Sequence, residues 1–392
     1  MNILLVTIEF PPSQRSGGIG SYNFDLANNL TNAGHSVTVL TSADKFFAPR
    51  SELNNNIYIR RIPFPDYFIG RSLIARIINK IINIVFYDFY RIRVAKLITR
   101  LDKKFKFDVV EFPEYGNEAK YWWPKKHIPT LIRFHGPSSL NRFQGKLELK
   151  TSREKREIKD LRHADGFSFV SDELRKVVSE HIKDNSCSSY VVHNCVDVPS
   201  YISESVLKDN NCYRIVGAGT IGTIKGWDLL YEACKKLRAN NHDIRLDLYG
   251  RLADLGDYLS SKAATSEWLT LHGHTSRDIL FAKYRSADLC CFPSRFEPMG
   301  LTALEAMGCG GLVLAGKLGG WKEAITEAEN GFLFDPNLGA EELSQKIFKI
   351  KEMEKSSLNK IRIQARRYIL NKNSLDLFIE KVTNIYKELA VK

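Results

Sequence analysis

The 392-residue sequence is poor in several features that would define other protein classes. Its seven cysteines (Cys187, Cys195, Cys212, Cys234, Cys290, Cys291 and Cys309) are odd in number, and none falls in C-x-x-C or in a Cys/His cluster of zinc spacing. A disulfide scaffold or zinc module is therefore excluded, and buried thiols in a reducing compartment are expected. No run of 18 apolar residues occurs, so no transmembrane helix is predicted. The apolar start "MNILLVTIEFPP" lacks a basic n-region and a small-residue cleavage site, and it reaches Glu9 and a Pro pair too soon for a signal peptide. It reads as a first β-strand. Gly and Pro are not in excess, and with 44% apolar and 26% charged residues neither a disordered nor a fibrous chain is expected.

Acidic charge is in short supply. The 57 Lys and Arg exceed the 45 Asp and Glu by 12. Most of that excess lies in residues 1–200, with 30 basic to 21 acidic, and residues 51–106 hold 12 to 4 amid many Ile, Phe and Tyr. Such a surface attracts anions: nucleic acid, phosphorylated substrates or acidic lipid headgroups. Without a zinc finger, an RNP motif or a recognition helix, nucleic acid is not expected as a partner.

The order of elements points to α/β. "NILLVT" is followed by the loop "IEFPPSQRSGGIG", a helical pattern and the strand "SVTVLTS", which is how a parallel sheet opens, since parallel strands need a helical crossover. "NIYIRRI", "FDVVEF", "PTLIRFHG" and "GFSFVS" read as further strands. A polar stretch near residue 205 precedes a second βα series, "YRIVGAG", "IRLDLYG", "LTLHG", "LCCFPS" and "LVLAG", with "NGFLFD" as an edge piece. Two doubly wound domains follow, whose ligands are expected beyond the carboxyl ends of the strands, in a cleft between the domains.

The stretch "SRFEPMGLTALEAMGCGG", residues 294–311, follows one of these strands. Glu297 falls in the loop and a helix starts near Gly300, where free N–H groups and the positive end of the dipole make an anion site that glycine lets a phosphate approach. Glu305 falls on the second turn, where a carboxylate can accept both hydroxyl hydrogens of a ribose. Taken alone, the two are equally a cap and a solvated side chain. Lys225, in "GTIGTIKGW", can stabilise charge on a departing phosphate or be an exposed loop lysine. His135 closes "PTLIRFHG" at a carboxyl end, as a ligand contact or a satisfied polar residue. Gly17, Gly18 and Gly20 can cradle a phosphate, admit an acceptor or merely turn the chain.

With "GGWKEAI" and "NGFLF" after it, "PSRFEPMGLTALEAMGCGG" resembles the E-x7-E signature of the retaining nucleotide-sugar glycosyltransferases of family four. "GGIGSY", "VVEFPEYG", "RFHG", "ADGFSFVS", "HNCVD", "KGWDLL" and "YRSADLCCFPS" stand in that family's order along nearly the whole chain. The resemblance implies the GT-B fold, two Rossmann-like parallel-sheet domains facing each other across a cleft. Residues 1–205 would form the acceptor side and 206–372 the donor domain, with 373–392 a helix crossing back to the first. It implies a nucleoside diphosphate sugar as donor, and a glycan or lipid-linked glycan as acceptor in cell-surface polysaccharide synthesis. Glu297 would orient the hexose and support positive charge near its anomeric carbon, Glu305 would hold the ribose, and His135 would contact the hexose. Lys225 and the amides of Gly300 and Leu301 would hold the diphosphate, with Met299 in the same turn. Where the family commonly has an arginine, this chain has Thr220 and Gly219, and Arg251 stands as a substitute. No cofactor is expected, and no metal, because the lysine and the helix start take the place of an Asp-x-Asp site.

Other readings stay open. "GAGTIG", residues 217–222, is a literal dinucleotide fingerprint with Asp243 and Asp247 at a plausible distance, but "TIKGW" intervenes before the helix, which starts near Trp227. A GT-B epimerase, a phosphorylase or a non-catalytic sugar-nucleotide binder would share the fold. The segment 71–106, with Arg76 and Lys80 on its polar side, reads either as a peripheral anchor at an acidic membrane surface, on the cytoplasmic face, or as a helix packed on a sheet.

Overall fold

The computed structural model describes residues 1–12, 18–43, 51–63, 73–136, 158–182, 187–198 and 212–391, with the backbone alone for 73–85. The described chain forms two compact units. One takes residues up to Val192 and the piece from Phe378 onward, and the other takes His193–Leu377.

The first unit runs β1 (Asn2–Thr7), α1 (Gly18–Asn32), β2 (Ser36–Ala43), β3 (Ser51–Asn54), β4 (Ile57–Pro63), α2 (Leu73–Phe105), β5 (Val109–Pro113), β6 (Thr130–Phe134), β7 (Gly166–Phe169), α3 (Asp172–Ile182) and β8 (Ser188–Val191). Its sheet has the order β3-β4-β2-β1-β5-β6-β7-β8, parallel except for the antiparallel pair β3 and β4. Ile3, Leu4, Leu5 and Val6 on β1 are all buried, as expected of a parallel strand covered on both faces. The strand order reverses between β1 and β5, and this is the switch point of the unit. The second half of α2 buries Tyr90, Val94, Ala95, Ile98 and Leu101, a stripe at helical spacing. That part of the proposed membrane segment is therefore committed to the core. Residues 71 and 72, and the side chains of Arg76 and Lys80, lie outside the described residues.

The second unit runs β9 (Tyr213–Ala218), α4 (Trp227–Ala239), β10 (Ile244–Tyr249), α5 (Gly256–Ala263), β11 (Leu269–Leu271), α6 (Arg277–Ser286), β12 (Leu289–Phe292), α7 (Leu301–Gly308), β13 (Val313–Gly316), α8 (Trp321–Ala324), β14 (Phe332–Phe334), α9 (Gly339–Lys351) and α10 (Lys355–Lys372). Its six strands are all parallel in the order β11-β10-β9-β12-β13-β14, so the switch point lies between β9 and β12. Gly217, in the fingerprint-like "GAGTIG", is a packing glycine: a Cβ there would lie 2.5 Å from the Trp227 ring.

The boundary expected near residue 205 falls among residues outside those described, but residues 193–198 already belong to the second unit. His193 Nε2 and Glu323 Oε2 are 2.9 Å apart, the Val196 N–H donates to Asn373 O at 3.1 Å, and Asn373 Nδ2 donates to Asn194 O at 3.0 Å. The last helix, α11 (Leu375–Val391), packs within the first unit from Phe378 onward. It buries Phe378, Val382, Tyr386 and Leu389, and Tyr386 Oη donates to Glu111 Oε2 on β5 at 2.7 Å. All seven cysteines are free, with Cys234, Cys290, Cys291 and Cys309 buried. Among the described residues no helix is long and apolar enough to cross a membrane.

Candidate functional site

Because β9 and β12 are neighbours, the loops that leave their carboxyl ends start side by side. The loop after β9 closes into a single 3-10 turn, Thr223–Lys225, ended by Gly226 at φ +71°. Only glycine fits there, since a Cβ would lie 1.9 Å from Pro293 O at the exit of β12. This contact sets Lys225 against the second loop, and its Nζ donates to Glu297 Oε2 at 2.5 Å. The Glu297 side chain is 9% exposed and that of Lys225 28%, so the pair is shielded on the carboxylate side and open on the ammonium side.

The Glu297 carboxyl lies against Gly300, where a Cβ would come within 2.5 Å of Glu297 Cδ. Gly300 is the N-cap of α7, and no side chain caps that helix. Its first N–H groups therefore rely on other partners than a side chain, next to a paired acid and base. The loop is clamped from behind by "GGW". Gly320 N–H donates to Pro298 O at 2.8 Å, and Trp321 Nε1 donates to Gly300 O at 3.0 Å. Met299, 2% exposed, is packed where a Cβ on Gly320 would meet its sulfur at 1.9 Å. Leu301 opens α7 beside Gly300.

Glu305, buried on the second turn of α7, is held by Arg277, whose Nε and Nη2 donate to Glu305 Oε1 at 3.1 and 2.9 Å. Arg277 opens α6 and carries no local motif, so sequence reasoning missed it. At the exits of β9 and β10, the Ile221 N–H donates to Arg251 O at 2.8 Å, which sets the exposed Arg251 beside Gly219 and Thr220. The structure thus brings an arginine next to the two positions where the family arginine is missing. Thr220 O accepts from Trp227 Nε1 at 2.9 Å.

In the first unit, His135 leaves the end of β6. Its ring meets Tyr22 edge-on at 4.6 Å, and burial, aided by the Arg133 charge, holds its pKa well below the ordinary value, so the ring is neutral at pH 7. Glu114, at the exit of β5, accepts the His135 and Gly136 N–H groups at 3.0 and 2.8 Å. Gly18 opens α1 with space around its Cα, Gly20 is buried, and Gly17 lies outside the described residues.

A second acid in this unit carries a pH signature. Glu118 is fully buried, accepts from Tyr90 Oη at 2.8 Å, and is pushed up to about 7, chiefly by burial. The folded state holds this proton more tightly than the unfolded chain. Its contribution to stability is therefore complete below the usual value of 4.5 and is lost as pH rises through about 7. Glu118→Gln cannot titrate, so relative to wild type it should gain about 3 kcal/mol between pH 5 and pH 8. Urea unfolding at both pH values measures this, and an identical difference at the two would refute it.

Comparison with known proteins agrees with this layout. Residues 16–199 match the family Glycosyltransferase Family 4, and residues 201–368 match Glycosyl transferases group 1. The D-inositol 3-phosphate glycosyltransferase of Pseudarthrobacter chlorophenolicus is 25% identical over 358 residues, 85% of this chain and 82% of that protein. The structure of a sucrose-phosphate synthase from Thermosynechococcus elongatus superposes with a TM-score of 0.81 at 18% identity, over 99% of this chain and 98% of that one. Anabaena HepE, solved in complex with UDP-glucose, gives a TM-score of 0.71 at 18% identity, over 99% of this chain and all of the other. With two matched families spanning residues 16–199 and 201–368, and two parallel-sheet α/β units of the GT-B fold, the chain is a glycosyltransferase of the group 1 and family 4 type.

Proposed function

We propose that this glycosyltransferase moves a hexosyl unit from a nucleoside diphosphate sugar to an acceptor hydroxyl with retention of the anomeric configuration. The observation that carries the reading is the Lys225–Glu297 pair at the β9/β12 switch point, beside the start of α7 that no side chain caps. A diphosphate against that helix start meets the α7 amides at Gly300 and Leu301 and the Lys225 ammonium, while Arg251 supplies the charge of the absent family arginine. Glu305, already oriented by Arg277, takes the ribose hydroxyls. Glu297 would orient the hexose and stabilise positive charge at the anomeric carbon.

In the transfer, the bond from the anomeric carbon to the phosphate oxygen breaks with its electron pair going to that oxygen. The acceptor oxygen bonds to the same face of the carbon, and its proton passes to the departing phosphate oxygen. No protein base and no metal is required. The UDP-glucose complex of Anabaena HepE supports a nucleotide-sugar donor. A glycan or lipid-linked glycan acceptor, made at the cytoplasmic face of a membrane for surface polysaccharide, fits the basic first half.

The test is incubation of the purified protein with uridine, guanosine and adenosine diphosphate sugars, with and without an acceptor glycan and with and without EDTA. Nucleoside diphosphate release that needs an acceptor, resists EDTA and yields a product of the donor's anomeric configuration is expected. Conversion of the donor alone, or only with inorganic phosphate, would overturn the transferase reading in favour of an epimerase or a phosphorylase.

A further inference from the structure

Arg295 lies two positions before Glu297, yet its bonds run to the other loop. Its N–H donates to Ile224 O at 2.8 Å, and Nη1 donates to Thr223 O at 2.7 Å. Nη1 and Nη2 also donate to Asp228 Oδ1 and Oδ2, both at 2.7 Å, a fork-on-fork pair. Thr223 and Ile224 precede Lys225 in its turn, and Asp228 follows it in the first turn of α4. One guanidinium therefore fastens both sides of the lysine turn to the strand exit that carries Glu297.

We infer that Arg295, with Asp228, is a positioning residue that sets the register between Lys225 and Glu297. The inference rests on the roles proposed above for those two side chains. The other side-chain ties on the turn do not reach the exit of β12: Asp254 accepts from the Thr223 N–H and hydroxyl at 3.1 and 2.6 Å, and Trp227 Nε1 closes the loop onto Thr220 O at 2.9 Å. Gly226 allows close approach to Pro293 but supplies no hydrogen bond to it. Arg295 spans the turn, and its side chain, 20% exposed, is engaged with protein rather than presented to a ligand. A lysine at 295 would keep the charge and the backbone bond to Ile224 O, but could not bind Thr223 O and both Asp228 oxygens in the guanidinium's fork geometry.

Because displacement of a reacting group by about 1 Å can cost about a hundredfold, Arg295→Ala should lower kcat about 30-fold while the donor KM stays within about threefold. Asp228→Asn, which keeps the bond to Thr223, should cost about tenfold, and the double variant should lose little more than Arg295→Ala, because the two act as one unit. Arg295→Lys should recover only a minor part. Should Arg295→Ala fail to fold, as checked by thermal melting, Asp228→Asn carries the same test. Full kcat in the folded variants, or a rise in KM with kcat intact, overturns the inference. If Lys225→Ala and Glu297→Gln keep full turnover, the site reading itself fails. If those two are inactive while the Arg295 and Asp228 variants are fully active, only the positioning role fails.

Discussion

Lys225→Ala is expected to lower kcat by about 10²- to 10³-fold, the loss found when a single charge-stabilising group is removed from a transition state. The diphosphate is already anionic in the bound donor, but negative charge rises on the bridging oxygen as the bond to the sugar breaks. A fixed ammonium therefore stabilises the transition state more than the ground state. Lys225 Nζ is held at 2.5 Å from Glu297 Oε2, a contact that fixes the ammonium at the exit of β12. Its stem passes close to Gly219, where a Cβ would lie 3.7 Å from Lys225 Cε, and this fixes the direction from which the charge reaches the site. The donor KM should rise as well, because the same charge binds the ground-state diphosphate, and UDP should protect the variant less against heat. A kcat within threefold of wild type would remove Lys225 from the leaving-group site.

The parts of this arrangement differed in how far the sequence displayed them. Parallel strands buried on both faces read as apolar runs, and "NILLVT", "YRIVGA" and "LCCF" are such runs in the structure. The short strands β3, "SELN", and β8, "SSYV", are polar and sit at the two edges of the first sheet, so no periodicity marked them. The start of α7 at Gly300 was legible because a strand, a glycine and an apolar helical pattern follow one another locally. The Lys225–Glu297 contact was not, because it spans 72 positions and depends on β9 lying next to β12. Only family resemblance put both residues in one site. Arg277 and Arg295 lay beyond either route. Each pairs across a long separation, to Glu305 and to Asp228, and an arginine that serves as a brace has the same local signature as one in solvent. Around the boundary expected near residue 205, residues 193–198 are held to the second unit by hydrogen bonds that composition does not reveal.

Glu297→Gln is expected to cost roughly a hundredfold or more in kcat, and its pattern should differ from that of the lysine. Glutamine keeps the shape that fits against Gly300, where the carboxyl carbon lies 2.5 Å from the site of a Cβ, so the loop and the α7 start should survive. What disappears is a negative charge in a site that is 8% exposed, where low dielectric makes it worth far more than in water. If that charge faces the sugar, its loss removes stabilisation of the positive anomeric carbon and falls on kcat. The ion pair adds a second consequence. In wild type an incoming diphosphate must compete with Glu297 for Lys225, and the neutral amide removes the competitor, so UDP should bind the variant at least as tightly as wild type. Slow turnover with undiminished UDP affinity is therefore the expected combination, measured by initial rates and by thermal shift with UDP. If the carboxylate served only to aim Lys225, UDP binding would weaken along with turnover, and the sugar-facing role would be lost. Unchanged turnover would remove Glu297 from the mechanism altogether.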